Sequence, residues 1–582
     1  MLRVFQKYEA PEDEFEAWVA MARLFRSRGA TDKALTALDR ALALAEEVRL
    51  QTSNPELRAT LAQPLRPAFD LKITLLAERY FAAGTSAAER ERTALSALET
   101  AEQARARALE DFQRFDVSAP GVPSDLVLRR KDIYRELAAR RSRLATLLDR
   151  AGPEDARALV VRSDIGRLRQ QLDEIDSRIG AASGRARAQA NEERAALAFG
   201  SMPAQLALVE YWLGAENAYA WSATRAGLAM TRLGSSDEVN RVAREYHEAL
   251  RGFGAIPEAQ RLRLGERLYQ LVLAPLGSRV SQERTLVFAP DGALHYVPFA
   301  TLRTASPGKS GFLVESHDIA MTPSIGMYLG RDPGRSRPPP TRQMLLVADP
   351  VYEASDTRLA TPSRPDASAS SAHVAALLVR GAGRGDTPFP RLPGTAQEAA
   401  TIAALLPKES VDRLEGLTAT RDRFLAAGLQ RYRFIHIASH ALNDAEIPQA
   451  SALVLSTFDE RSRPVDGRVL AADFVNVQLN AEAVVLSACD TALGKSVAGE
   501  GLIGLQYVVL ARGAESVVSS LWPVIDQASA QLMSQFYASR LRGRAALPTA
   551  LSDAMRAMLA GRFKDPGVWG AFTLTVAHAG GT

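Results

Sequence analysis

Cysteine is almost missing from this chain of 582 residues, which has one, Cys489. A single thiol excludes an internal disulfide framework and any four-cysteine zinc site. Long apolar runs are missing as well. No stretch of eighteen apolar residues and no signal-peptide pattern can be read, so a cytoplasmic chain without membrane contact is expected. An excess of either charge is the third absence: 71 Lys and Arg stand against 67 Asp and Glu, a formal net charge of +4. The arginines are interleaved with acids on helical faces, which argues against a dedicated nucleic-acid binder even at a pI near 9.1. Hydrophobic residues make up 47% of the chain, enough for a large core. The length exceeds what one compact core supports, so two or more domains are expected.

Helical signals dominate the first third. Over residues 15–50, Trp18, Ala22, Phe25, Gly29, Ala34, Leu38 and Ala41 fall at the large, small and turn positions of a tetratricopeptide repeat (TPR). Ala82, Ala94, Leu98 and Ala101 repeat the spacing in a degenerate second copy without a clear turn. Isolated repeats cannot bury their faces, so a short stacked array is expected. Helices are also predicted over 126–148 and 153–179, with helix continuing to Phe199. The first of these is basic, with Arg129, Arg130, Lys131, Arg140, Arg141 and Arg143 interrupted by Glu136 and Asp149, and reads as a solvated face. Gly200 and Pro203 mark a boundary. Residues 207–213 and 218–224 read as a hairpin of aromatic-rich strands, followed by helices over 236–252 and 257–276. Pro, Gly and Ser-rich loops span 331–340 and 353–371.

The chemistry concentrates in VVLSACDTALG. Residues 484–488 form an apolar run, the pattern of a strand buried on both faces of a parallel sheet, and Cys489 follows it. In open α/β sheets, reacting groups sit beyond the carboxyl ends of strands. A second strand is predicted at 434–439, with His440 just past it. A thiol attacks well only as thiolate, and a neighbouring imidazole can take its proton, which makes His440 the candidate base. The residues alone leave the alternative open, since a free cysteine is often only a small buried hydrophobe.

Several stretches together resemble the CHAT family of caspase-like domains, often found attached to tetratricopeptide repeats. They are LVFAPDGALHYVPFATL (286–302), LLVADPVY (345–352), LPGTAQEAATIAALLP (392–407), the His440 strand, SACDTALG, GEGLIGLQYVVLARGAESVVSSLWPVID (499–526) and WGAFTL (569–574). The resemblance implies a caspase-like α/β/α sandwich with a mostly parallel central sheet, preceded by an all-α TPR-like helical domain. It also implies a Cys–His protease dyad of Cys489 and His440, with an oxyanion hole formed by the backbone N–H groups of Ala441 and Cys489. Ala441 stands where the family often has Gly, which narrows the approach to that hole. The expected domains are 1–199 helical, 200–284 a strand hairpin and helices leading into the core, and 285–582 the peptidase.

Asp490, Glu500 and Asp526 fall in segments that the resemblance places around the substrate cleft, with Trp522 as an apolar wall. Carboxylates there predict Arg or Lys before the cleaved bond. Asp at that position would require a basic pocket, and Arg512 and Lys495 do not converge on one segment. CDTALGKS is one substitution from a phosphate-binding loop, but Cys489 stands where a glycine is needed, and GEGLIG follows a loop instead of a strand. His436, four residues before His440, is about 13 Å from it on a strand, too far to share a metal ion, and reads as a core histidine. His295, His317 and His578 read likewise. No metal or organic cofactor is implied. The expected partners are a protein or peptide substrate and a regulatory protein on the helical repeats. A catalytically idle scaffold is the competing expectation.

Overall fold

Strands rich in Val, Leu, Ile and aromatic residues alternate with amphipathic helices through the last two thirds of the chain, the pattern that builds a sheet covered on both faces. The structure is a computed structural model, and it describes residues 11–51, 55–105, 122–151, 155–184, 199–252, 255–306, 309–330, 339–359, 389–442, 451–487, 495–497, 501–523 and 525–578.

Among the described residues the first elements are helices α1 (Pro11–Ser27), α2 (Thr31–Gln51), α3 (Pro55–Phe81) and α4 (Ala87–Gln103), then α5 (Ser124–Ala151) and α6 (Ala156–Gly184). Gly29, at φ +71°, turns α1 into α2, where a residue with a Cβ would be strained. Val19, Ala22, Ala34, Leu38 and Ala41 are buried between these two helices, as the repeat spacing requires. The degenerate second copy does have a turn, with Gly84 at φ +83° between α3 and α4. The Ser86 hydroxyl caps α4 by accepting from the Glu89 N–H.

Eleven strands form the main sheet: β1 (Leu206–Leu213), β2 (Asn217–Thr224), β3 (Gly227–Ser235), β4 (Thr285–Ala289), β5 (Asp318–Met321), β6 (Arg342–Ala348), β7 (Val411–Glu415), β8 (Tyr432–Ala438), β12 (Ala483–Ser487), β13 (Ser516–Ser520) and β14 (Phe572–Val576). Their spatial order is β3-β2-β1-β4-β5-β14-β13-β12-β8-β6-β7. The pairs β1/β2, β2/β3 and β13/β14 are antiparallel, and the others are parallel. A separate small sheet holds β9 (His440–Leu442), β10 (Ala452–Val454) and β11 (Arg468–Leu470). The remaining helices used below are α7 (Ser236–Arg251), α8 (Glu258–Val272), α9 (Pro393–Ala403), α10 (Leu505–Ala511) and α11 (Asp526–Leu541). Among the described residues, no helix is long and apolar enough to cross a membrane. The fold is the expected one, a helical region followed by a mostly parallel sheet between helices.

Two features differ from the sequence reading. The segment expected to lead into the core supplies β1, β2 and a third strand, β3, to the sheet itself, with β1 parallel to β4. One face of β1 and β2, carrying Glu210, Trp212, Tyr219 and Trp221, is covered by α3 and α4. Trp212 Nε1 donates to Asp70 at 2.9 Å, and Trp221 Nε1 donates to the Ala94 carbonyl at 3.1 Å. Tyr211, on the opposite face, donates to the Val272 carbonyl at the end of α8. The second repeat-like hairpin is thus one layer of the sandwich, and the buried apolar cluster runs without a break from Val19 through the sheet to Val576.

The second difference lies in α5. Of its basic residues, Arg129 is exposed, but Arg130 is 3% exposed and hydrogen-bonds Asp176 of α6 at 2.5 Å, with its guanidinium over the Tyr134 ring. Lys131 and Arg135 reach Asp473 at 3.7 and 3.9 Å. The α5–α6 hairpin shares a core with Ala452, Leu470 and Ala472, so it packs on the small sheet that begins with His440. The predicted helix up to Phe199 falls at 185–198 outside the described residues, as do most of the two Pro, Gly and Ser-rich loops.

Candidate active site

The site is built on two neighbouring strands. β8 and β12 run parallel, with Phe434 opposite Ala483 and Ala438 opposite Ser487. Alternation along β8 sends Phe434 and His436 toward α9 and α11, and Ile435 and Ile437 toward the core that includes α10. His436 is fully buried, with Nε2 3.0 Å from Glu398 Oε1 and Nδ1 3.4 Å from the Tyr537 hydroxyl. It has the role of a core histidine.

His440 opens β9, immediately past the end of β8. Its Nε2 lies 2.8 Å from the Pro390 carbonyl oxygen. A carbonyl only accepts, so Nε2 carries the proton and Nδ1 keeps its lone pair. The ring is walled by Tyr352 and Phe389, with centroids at 5.0 and 5.1 Å. Burial pushes the imidazole below its ordinary pKa, against the opposing pull of the Pro390 hydrogen bond and the Asp526 carboxylate. His440 is therefore predominantly neutral at neutral pH, half-buried, and able to accept a proton at Nδ1.

Asp526 is the first residue of α11 and is half-buried. Burial raises its carboxyl above the usual range, and nearby Glu398 adds to that, while the Gly394 N–H hydrogen bond and His440 oppose it. Gly394 has to be glycine here, because a Cβ would come within 2.6 Å of the Asp526 Cβ. Ala441 lies in β9 opposite Leu453. Cys489, Asp490 and Glu500 lie outside the described residues. Arg512 is remote from His440: its carbonyl accepts from Leu479, at the N-terminal end of β12 and away from Ser487.

Trp522 corrects one expectation. Its ring is fully buried, with Nε1 donating to the Gly567 carbonyl at 2.8 Å and an edge contact to His247, so it belongs to the core and walls no open pocket. Trp522 follows β13 by two residues, and its side chain turns inward. Conversely, sequence reasoning missed Tyr352, Phe389 and Pro390. A signal for Tyr352 was available: ADPVY follows a buried strand, and the rule that chemistry gathers beyond the carboxyl ends of strands applies to β6 as much as to β8.

Comparison with known proteins places this geometry in context. Tetratricopeptide repeat protein 28 of Mus musculus is 27% identical over 349 residues, which is 53% of this chain and 13% of that protein, and the Homo sapiens protein matches to the same extent. The chain thus spans about an eighth of the length of these curated relatives. Among solved structures, the Arg specific cysteine proteinase gingipain R is similar at 10% identity and a TM-score of 0.31, over 59% of this chain and 74% of that one. The Saccharomyces cerevisiae separase–securin complex is similar at 9% identity and a TM-score of 0.37, over 99% of this chain and 49% of that one. The CHAT domain family model matches residues 262–577, more than half of the chain, and the chain therefore belongs to the CHAT domain family.

Proposed function

We propose that this protein is a cysteine endopeptidase in which Cys489 and His440 form the dyad. The supporting observation is the register of β8 and β12, in which Ala438 opposes Ser487, so that His440 and Cys489 each stand two residues past a matched pair. Nδ1 of His440, left free by the Nε2 hydrogen bond to Pro390, takes the thiol proton. The thiolate attacks the scissile carbonyl, and the backbone N–H groups of Ala441 and Cys489 receive the oxyanion. The imidazolium then returns its proton to the leaving amine, and water releases the acyl group from sulfur. Asp526 beside His440, with Asp490 and Glu500, favours a cationic side chain before the cleaved bond, Arg at least as well as Lys. The helical repeats bind a regulatory protein.

The test is a peptidyl acyloxymethyl ketone with Arg, Lys or Asp next to the warhead, read by mass spectrometry of the labelled peptide. Labelling at Cys489 that is lost in His440→Ala supports the peptidase. No labelling, or labelling indifferent to His440, identifies a scaffold.

A further inference from the structure

Asp349 is the residue immediately after β6, and its backbone is in the left-handed region at φ +45°. Asp and Asn tolerate that region better than other residues with a Cβ, but it still has to be held in place. Asp349 is 6% exposed and held on every side. Its N–H donates to the Thr395 hydroxyl at 2.9 Å, near the start of α9. Its carboxylate accepts two parallel hydrogen bonds from Arg391, Nε at 2.9 Å and Nη2 at 2.7 Å, and Arg358 Nη1 lies 2.8 Å from Oδ2.

The residues so gripped flank those that touch His440. Phe389 packs on the imidazole and the Pro390 carbonyl accepts from Nε2. Arg391 follows directly, and Thr395 lies one turn into the helix. Residues 389–392 are irregular backbone with no sheet ladder to fix them. A planar bidentate fork restrains both distance and orientation, as a single-point ammonium contact does not. An exposed ion pair would contribute little, but here the acid is buried and three guanidinium nitrogens converge on its carboxylate.

We propose that Asp349 and Arg391 are positioning residues of the site: their ion pair ties the Pro390 carbonyl to the end of β6 and thereby fixes the tautomer and ring orientation of His440. Its consequence for catalysis rests on the peptidase reading, but the clamp itself does not. Without the clamp the carbonyl moves, Nε2–H loses its acceptor, and the proton redistributes between the ring nitrogens. A misplacement of about 1 Å at such a group costs on the order of 10²-fold in rate.

The experiment uses the full chain with ¹⁵N-labelled histidine. Long-range ¹H–¹⁵N spectra report each imidazole tautomer, and His440→Gln assigns the His440 signal among the seven histidines. The same proteins are reacted with the Arg acyloxymethyl ketone. In the wild type, His440 should be the Nε2–H tautomer. In Asp349→Asn and Arg391→Gln it should become a mixture, and the maximal labelling rate of Cys489 should fall about 10²-fold with the half-saturating probe concentration unchanged within about twofold. Arg391→Lys keeps the charge without the fork and should fall between. The Arg391 side chain is 46% exposed, so its variants keep the core intact and decide the matter if Asp349→Asn fails to fold. An unchanged tautomer in the Arg391 variants, or an Nδ1–H tautomer in the wild type, overturns the clamp. A shifted tautomer with no labelling of wild-type Cys489 upholds the clamp and removes the peptidase reading.

Discussion

Removing residues 1–105 should unfold the sheet, because α3 and α4 cover one face of β1 and β2. The rings on that face are Trp212, Tyr219 and Trp221, all nearly or fully buried. Each aromatic side chain buries about 200 Å², and if about half of that is covered from the helix side, the deletion re-exposes roughly 300 Å². At about 25 cal/mol per Å² this is a loss of about 7 kcal/mol, comparable with the whole stability of a typical domain, about 5–15 kcal/mol. A gentler perturbation keeps the chain complete. Leu98 on α4 is fully buried, and Leu98→Ala should cost about 2–5 kcal/mol. In urea titrations followed by tryptophan fluorescence and by circular dichroism, that cost should shift a single transition seen alike by both probes. A repeat module independent of the sheet would behave otherwise, with an early transition of its own followed by one at the wild-type midpoint. A monomeric 122–582 fragment that unfolds cooperatively at the wild-type midpoint would refute the reasoning outright.

Four further outcomes are expected. The labelling rate of Cys489 should fall on the acid side with a midpoint below that of an ordinary imidazole, since burial lowers His440; Asp526→Asn removes an opposing attraction and should move the midpoint lower still, as a pH profile of the inactivation rate will report. Asp526→Asn should also weaken the preference for Arg or Lys in a peptide-library profile, whereas strong cleavage after Asp would reject the acidic pocket. Gly394→Ala forces a Cβ into the Asp526 Cβ and should lower thermal stability by about 1–3 kcal/mol together with the labelling rate. Arg130→Met leaves Asp176 buried without its partner and should destabilise the protein by about 3–5 kcal/mol in denaturant titrations.

The parallel core was legible because its strands are short apolar runs ending in small or polar residues, and β8 and β12 were located to within a residue or two. The first repeat was legible from Gly29 and the small residues around it. The attachment of the second hairpin was not, since Trp212 and Trp221 read as strand residues whatever covers them, and their acceptors, Asp70 and the Ala94 carbonyl, are more than a hundred residues away. Arg130 reads as solvated for the same reason, because only the fold brings Asp176 to it. His440 stood out by its place after a strand. Pro390 did not, since it acts through a main-chain carbonyl, a group every residue carries. Trp522 was misplaced because its neighbours in the chain border the site while its indole turns away to Gly567.

The contact of α3 and α4 with β1 and β2 also decides where this chain can be cut and rejoined. Repeat arrays lengthen and shorten by exchange of whole units, which works when each unit meets only others like itself. The pair α3–α4 meets a repeat on one side and the tryptophans of a sheet on the other. A chimaera that takes its repeats from another protein should therefore be joined between α2 and α3, near Pro55, and not at the apparent end of the helical region around 199. Whatever array is grafted there, its last unit has to be the native one.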